Sequence, residues 1–289
     1  MPRAVTKDKV SLFYKDWGPR DGSPIVLIHG WPLTGDSFDD LAVALAEDGY
    51  RSIVPDRRGF GRSDQPWDGY DYDTFASDVE AVLDDAGISG RFALAGFSMG
   101  GGEVARLVAR HGERVTSAIL IGSIVPYMLH ADDNPNGVPQ SVFDDIAAGI
   151  KEDRAAFFTS FAKDFYGVGM LDSAVSEAVL HDFFRQAMMA GLRPTLAAAR
   201  AFATTDFRDD LEAFTMPTLV IHGTKDATVP IDATAREVAK AVPGARLIEY
   251  EGSAHGLLAS DKERLTSDIR EFLGSASSQR SAIPLNQTA

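Results

Sequence analysis

The sequence predicts an α/β protein with a doubly wound, mostly parallel sheet and a helical insertion between two of its strands. Two observations carry this prediction. Short apolar runs alternate along the chain with amphipathic helical stretches, which is typical of strands covered by helices on both faces. The alternation stops between residues 124 and 206, where the chain has helical pieces and no convincing strand.

The predicted elements follow in order along the chain. The segment KVSLFYKDWG near the N-terminus is predicted as an antiparallel edge strand. Six apolar, β-branched runs are predicted as parallel strands, at 24–30, 51–56, 91–96, 116–122, 217–223 and 245–252. Four stretches between them have apolar residues at i, i+3 and i+4 and are predicted as helices: TFASDVEAVLDDAG, GGEVARLVARHG, IDATAREVAKAV and KERLTSDIREFLG.

The interruption of the pattern divides the chain into a predicted core and a predicted lid. Residues 1–123 and 207–274 form the core. Residues 124–206 form a helical lid over the edge where the strands end, which is where open α/β sheets bind ligands. The polar stretch 275–289 lacks helical or strand periodicity and is predicted as a flexible tail.

The composition restricts the partners and the compartment. Acidic residues outnumber Lys plus Arg by 42 to 28, which argues against nucleic acid and against strongly anionic substrates. The chain has no cysteine, so a disulfide or a thiolate nucleophile is excluded. It shows neither a signal-like N-terminus nor an apolar stretch of membrane-spanning length, so we expect a cytoplasmic protein without membrane contact.

The strongest local motif is Gly96-Phe97-Ser98-Met99-Gly100, which follows a predicted strand and opens a predicted helix. This is the G-x-S-x-G nucleophile elbow in the strand-turn-helix context that it requires. The sharp turn presents the serine hydroxyl, and the glycines leave room for the adjoining strand and helix. A P-loop is a poor alternative because no Gly-Lys-Ser/Thr follows. The motif predicts the α/β-hydrolase fold with Ser98 as nucleophile.

A serine hydroxyl needs a neighbouring base, and the base needs an acid that orients it. In this fold the acid and the histidine follow the serine in that order. His255, in the loop after the last predicted strand, is the histidine whose position fits. Asp226 follows the carboxyl end of the penultimate predicted strand and is predicted to hold the His255 imidazole.

The other histidines are interpreted as structural or peripheral. His29 and His222 each precede a glycine at a predicted strand end, where a buried structural hydrogen bond is expected. His111 and His181 are predicted on helix surfaces, and His130 is predicted at the start of the lid. His29 and His222 show no metal-ligand spacing with a carboxylate, so the sequence predicts no metal.

Two backbone N–H groups are predicted to form an oxyanion hole. One belongs to Met99, the residue after the nucleophile, and the other to Trp31, in the loop after an earlier strand. The Trp31 side chain is expected either to form a wall of the acyl pocket or simply to pack.

The run DRRGFGRSD at 56–64 contains G-x-G after a predicted strand. It lacks the third glycine of a dinucleotide fingerprint, and no helix opens there. We interpret it as a structural turn that braces the neighbouring loops. The sequence therefore predicts no cofactor.

Eight segments occur in one order between about residues 5 and 273: HGWPLTGDSFDD, DRRGFGRSDQP, GYDYDTFASD, GFSMGGGEVAR, DDNPNG, TDFRDDL, HGTKDATVP and GSAHGLL. Together they resemble the cofactor-free bacterial haloperoxidases, also called non-haem chloroperoxidases. The resemblance implies a triad of Ser98, Asp226 and His255, an oxyanion hole at Trp31 and Met99, and no haem or metal. It weakens in the lid, from Leu171 to Ala203.

The resemblance implies an esterase active on aryl or simple esters and sometimes on lactones or γ-lactams. The halogenation in the family name is a side reaction, in which hydrogen peroxide attacks the acyl-enzyme and the resulting peracid oxidises halide. Pro32 matches members prone to this perhydrolysis. The implied partner is a small-molecule ester, lactone or amide. Family members associate, so a homo-oligomer is allowed, although no sequence feature decides it.

Other interpretations stay open. An acyltransferase would share the acyl-enzyme and use an alcohol in place of water. A ligand-binding protein could keep the fold without turnover, because function is set by the site rather than by the fold. A dehalogenase or epoxide hydrolase of the same fold is disfavoured, because it needs a carboxylate where this chain has Ser98.

Overall fold

The computed structural model of the protein describes residues 1–169 and 175–281. Within these ranges, one eight-stranded sheet forms the centre of the fold. In chain order its strands are β1 (Arg3–Val5), β2 (Ser11–Trp17), β3 (Ser23–Ile28), β4 (Tyr50–Pro55), β5 (Phe92–Phe97), β6 (Val115–Ile121), β7 (Thr218–Gly223) and β8 (Arg246–Tyr250).

The spatial order of the strands is β1-β2-β4-β3-β5-β6-β7-β8. Strands β3 to β8 are parallel, whereas β1 and β2 are antiparallel. This confirms the predicted α/β class and the mostly parallel sheet. β2 is antiparallel, as expected, but the outer position belongs to β1, a strand of three residues that is too short to show a period in the sequence.

Helices connect the parallel strands. Because the chain moves across the sheet in one direction from β3 to β4 and in the other from β5 to β6, right-handed crossovers place the connecting helices on opposite faces. None of the described helices is long and apolar enough to cross a bilayer. The helices are α1 (Asp39–Glu47), α2 (Tyr72–Asp85), α3 (Gly100–His111), α4 (Gln140–Phe165), α5 (Glu177–Met189), α6 (Leu192–Thr204), α7 (Ala235–Ala241), α8 (Leu257–Ser260) and α9 (Lys262–Ser281).

Helices α4, α5 and α6 lie between β6 and β7, in the segment where the sequence predicts a helical lid. We call these three helices the cap. α4 contacts both of the others, and it bends at Asp153, where the backbone leaves helical geometry and the carboxylate accepts the N–H of Ala156 at 2.9 Å. The division into a core and a cap domain stays a prediction. Leu171, where the resemblance begins to weaken, lies outside the described residues.

Helix α9 differs from the sequence-based expectation. It continues to Ser281, into the segment 275–289 for which a loose tail is predicted. Phe272, Leu273 and Ala276 are buried along the helix. The residues after Ala276 are polar and show no amphipathic pattern of their own. The helix nevertheless continues through them, because the packing of the apolar residues before them contributes more to helix stability than the local pattern does. Residues 282–289 lie outside the described residues.

Hydrogen bonds tie the cap to loops of the core, among them the bonds of Gln186, Trp31 and Gln65. Gln186 Oε1 in α5 accepts the N–H and the hydroxyl of Thr34, at 3.1 and 3.0 Å. The indole N–H of Trp31 donates to the carbonyl of Thr195 in α6 at 3.1 Å. Gln65 bonds two backbone groups at the junction of α5 and α6. The cap is therefore fixed to the core by directional contacts as well as by apolar packing.

A buried ion pair joins the loop after β4 to helix α3. Arg57 Nε and Nη2 donate to the Glu103 carboxylate at 2.7 and 2.6 Å, and both side chains are 2% exposed. Arg57 also donates to the carbonyl of His29, and its backbone N–H donates to His29 Nε2. The turn at 56–64 thus holds the loop after β3 in place, which agrees with its interpretation as a structural brace.

We expect Glu103→Gln to lower the free energy of unfolding by about 3–5 kcal/mol, because it leaves the Arg57 charge buried without its counter-ion. Urea denaturation followed by circular dichroism measures the change. The matched control is Glu113→Gln at an exposed glutamate, where a change within about 0.5 kcal/mol is expected. Equal stability of the two variants would contradict the assigned role of the ion pair.

Candidate active site

Ser98 lies in the turn between β5 and α3, where the sequence predicts it. It is a non-glycine residue with a φ of 52°, a strained conformation that persists only where surrounding contacts fix it. Its N–H donates to the Ile121 carbonyl at 2.8 Å, and its carbonyl accepts the N–H of Gly101 at 3.0 Å. The turn is therefore bonded to the end of β6 and to the start of α3, which fixes the position of the hydroxyl.

The glycines around Ser98 permit backbone contacts that a side chain would block. A Cβ on Gly96 would lie 2.4 Å from the carbonyl oxygen of Gly100, and a Cβ on Gly100 would lie 2.2 Å from that of Ile28. The main chains of β5, α3 and β3 therefore meet directly. The loop after β3 is consequently beside the serine, since a Cβ on Gly30 would lie 2.9 Å from Ser98 Cβ.

The three residues predicted to carry the reaction form a chain of two hydrogen bonds, with His255 in the middle. His255 Nε2 lies 2.9 Å from Ser98 Oγ, and His255 Nδ1 lies 2.6 Å from Asp226 Oδ2. The side chains of Asp226 and His255 have no exposed surface, and Ser98 is 6% exposed. An imidazole in this position can accept the serine proton at Nε2 while the carboxylate holds its Nδ1–H.

The Asp226 carboxylate is held by four groups. Oδ1 accepts the backbone N–H groups of Thr228 and Val229 at 2.9 and 2.8 Å. Oδ2 bonds His255 and also lies 3.2 Å from Nε2 of a second histidine, His222. Burial acts to raise the pKa of Asp226, but the His255 imidazole and the hydrogen bond from His222 lower it well below its usual range. The carboxyl is therefore an anion at neutral pH.

Two phenylalanines fix the plane of the His255 ring. Phe97, beside the nucleophile, lies 5.1 Å from it between ring centroids, and Phe165 of the cap helix α4 meets it edge-on at 4.7 Å. The carbonyl of Phe165 also accepts the N–H of Gly256 at 2.9 Å. The cap therefore contributes directly to the orientation of the imidazole.

The two N–H groups predicted for the oxyanion hole are free to donate. Within the described ranges, neither the Trp31 nor the Met99 backbone N–H donates to another protein group. Tyr72 donates its hydroxyl to the Met99 carbonyl at 3.1 Å, which fixes that peptide. The Trp31 ring packs against aromatic side chains of the cap, at centroid distances of 5.5 to 5.6 Å: Phe158, Phe161 and Phe202.

Sequence reasoning missed several residues at this site, among them Phe97 and Phe165 against the His255 ring and two polar residues, His222 and Gln186. His222 was expected to make a structural bond only, but it also reaches the Asp226 carboxylate, and the signal available was its position four residues before that aspartate. Gln186 in the cap bonds Thr34, three residues after Trp31, across 152 residues of sequence. No local pattern could have indicated that pairing. His29 makes the buried structural bonds expected of it.

Comparison with known proteins supports this assignment of fold. Residues 23–261 match the family described as alpha/beta hydrolase fold. Non-heme chloroperoxidase CPO-A1 of Kitasatospora aureofaciens is 45% identical over 94% of this chain and 99% of its own length. The bifunctional esterase/perhydrolase DCH of Acinetobacter calcoaceticus is 39% identical over 95% of this chain and 100% of its own.

Solved structures agree. A bromoperoxidase from Bacillus anthracis superposes with a TM-score of 0.90 at 39% identity, covering 94% of this chain and 99% of its own. An esterase from Exiguobacterium antarcticum superposes with a TM-score of 0.88 at 32% identity, covering 94% and 98%. These matches confirm both the predicted fold and the predicted resemblance. The chain belongs to the α/β-hydrolase family, among the non-haem haloperoxidases and their related esterases.

Proposed function

We propose that the protein is a serine hydrolase that cleaves small carboxylic esters through an acyl-enzyme. The observation that carries the proposal is the hydrogen-bonded series from Ser98 through His255 to Asp226, with the serine on a strained turn. The full-length similarity to chloroperoxidases and to an esterase/perhydrolase supports the same reaction.

In the first half of the reaction, Ser98 Oγ attacks the ester carbonyl carbon while His255 Nε2 takes its proton. The Asp226 carboxylate stabilises the imidazolium that forms. The N–H groups of Met99 and Trp31 bind the oxyanion, and the loss of one such donor typically lowers kcat by about 100- to 1,000-fold. The tetrahedral intermediate then expels the alcohol, which receives the proton from His255, and the acyl group stays on Ser98.

In the second half, His255 takes a proton from water, which attacks the acyl carbonyl, and the acid product leaves with Ser98 regenerated. Hydrogen peroxide can replace water as the nucleophile, and the product is then a peracid. The peracid transfers an oxygen atom to halide, giving hypohalite and the carboxylic acid. The esterase/perhydrolase relative supports this side reaction.

The surroundings of the site favour apolar, uncharged substrates. Aromatic side chains of the cap surround Trp31 and contact His255, so an apolar acyl or aryl group would replace water there at little cost. The net charge of −14 disfavours substrates that carry a carboxylate. Aryl and simple esters are therefore the first candidates, and lactones, γ-lactams and other amides are the second.

Two alternatives share this site. An acyltransferase would pass the acyl group to an alcohol, and added alcohols would then compete with water for the acyl-enzyme. A ligand-binding protein would lack turnover. Labelling by a fluorophosphonate distinguishes the latter, because only a reactive Ser98 forms the covalent adduct quickly.

Ser98→Ala is expected to reduce hydrolysis of p-nitrophenyl esters, acetate through octanoate, by at least about 10,000-fold while the protein stays folded. The reason is that the variant has no nucleophile for the acyl-enzyme. Ser253→Ala, two residues before His255 and bonded to Asp261, is the matched control and should keep most of the activity. Substantial turnover in Ser98→Ala would refute the proposal.

Asp226→Asn is expected to lower kcat by roughly 10,000-fold, as in the corresponding serine protease substitution, because the amide favours the wrong imidazole tautomer. Steady-state ester hydrolysis over a range of pH measures it. Asp232→Asn, at an exposed aspartate paired with Arg236, is the control with the same charge change. Similar kinetics for the two variants would show that Asp226 has no special role.

Bromination in the presence of hydrogen peroxide should require an acyl donor and should vanish in Ser98→Ala. This follows because the peracid arises only from the acyl-enzyme. A monochlorodimedone assay with bromide, run with and without added acetate or ester, measures the rate. Bromination that persists in Ser98→Ala, or without an acyl donor, would show that halide oxidation uses another route.

A further inference from the structure

His222 lies at the carboxyl end of β7 and has no exposed surface. Its Nε2 is 2.9 Å from the carbonyl oxygen of Val229 and 3.2 Å from Asp226 Oδ2. That carboxylate oxygen is also the one bonded to His255 Nδ1. A single oxygen of Asp226 therefore lies between two imidazoles, one of which is in direct contact with the nucleophile.

The neighbours of His222 determine its tautomer. Both groups near Nε2 are acceptors, so Nε2 carries a proton. That N–H is hydrogen-bonded to the Val229 carbonyl and has the Asp226 oxygen as a second, longer contact. Nδ1, on the other side of the ring, is a fully buried side-chain atom that lacks a hydrogen-bond partner within the described part of the chain. Burying a polar atom in this way is unfavourable, and an aliphatic side chain would avoid it. The contact at Nε2 is the evident compensation.

We propose that His222 is a positioning residue for the reaction at Ser98. This rests on the proposed function. By donating Nε2–H to Asp226 Oδ2, His222 holds the carboxylate in line with the Nδ1–H of His255. The same bond draws electron density from the Asp226 oxygen. It thereby limits how strongly the carboxylate stabilises the protonated form of His255. His222 touches neither the substrate nor the serine.

The other charged groups near His222 are accounted for by partners of their own. Glu249 is its register partner on β8, and that carboxylate is paired with Arg236 at 2.7 Å. Arg236 is also paired with Asp232 at 2.7 Å. Asp226 and His255 are therefore the titratable groups through which a change at His222 would act on the reaction.

The test compares three substitutions of His222 in the full-length protein. His222→Leu removes the donor. His222→Gln places an amide N–H₂ at the depth of Nε2, whereas the shorter His222→Asn has the same amide but does not reach Asp226. Thermal unfolding of each variant checks the fold, and p-nitrophenyl ester hydrolysis gives kcat and KM as functions of pH.

We expect His222→Leu and His222→Asn to lower kcat by roughly 10- to 100-fold, the factor that corresponds to one hydrogen bond to a charged group. KM should change little. The acid limb of the pH profile of kcat/KM should move to higher pH, because Asp226 then stabilises the His255 imidazolium more strongly. His222→Gln should restore both kcat and the acid limb. If His222 served packing alone, the acid limb would stay at its wild-type pH in all three variants, and His222→Gln would not recover activity selectively.

The proposal is overturned if folded His222→Leu keeps the wild-type kcat and acid limb, or if all three variants lose activity equally with the limb unmoved. A second readout needs no substrate. The chain has six histidines, so nitrogen-15 NMR of labelled imidazoles can assign His222, which should carry a proton on Nε2. A proton on Nδ1 alone would also overturn the proposal. If the wild type hydrolyses no ester, the proposed function fails while this tautomer test still stands.

Discussion

The structure depends on a close backbone contact at the Ser98 turn. A strand and a helix approach each other there without intervening side chains, and the end of β3 lies against the same point. The positive φ of Ser98 follows from this crowding, since the chain must reverse within one residue. Because the contact is main chain to main chain, it fixes the hydroxyl relative to the Trp31 and Met99 amides without relying on flexible groups.

The remaining parts of the site are held by different physical means. Asp226 is fixed by hydrogen bonds from two backbone amides and from His255, and the His222 imidazole lies 3.2 Å from the same carboxylate. The His255 ring is fixed by aromatic contacts, one of them from the cap. The loop that carries Trp31 is braced from behind by the ion pair of Arg57 and Glu103 and by His29. Each member thus has an independent support, and this keeps the group in a reactive geometry before any substrate binds.

Much of this arrangement could be predicted from the sequence because it follows the chain locally. Ser98, Asp226 and His255 each come directly after a predicted strand, and parallel strands bring their carboxyl ends to one edge. The contacts of His222 and Gln186 could not be predicted in the same way. They depend on where loops and cap helices settle in space. The extension of α9 was missed because buried side chains near its end, rather than its own polar sequence, stabilise it.

Thr34 donates to Gln186 of the cap, and Trp31 donates to Thr195 of the cap. These bonds restrict how far the amino-acid sequence of the cap can change. A cap transplanted from a relative would leave the buried donors of Trp31 and Thr34, in the loop after β3, unpaired unless it supplied acceptors at the same two places. Cap and loop are therefore expected to be inherited as a matched pair. Apolar cap side chains between these anchors can change in size and shape while both sets of bonds are kept.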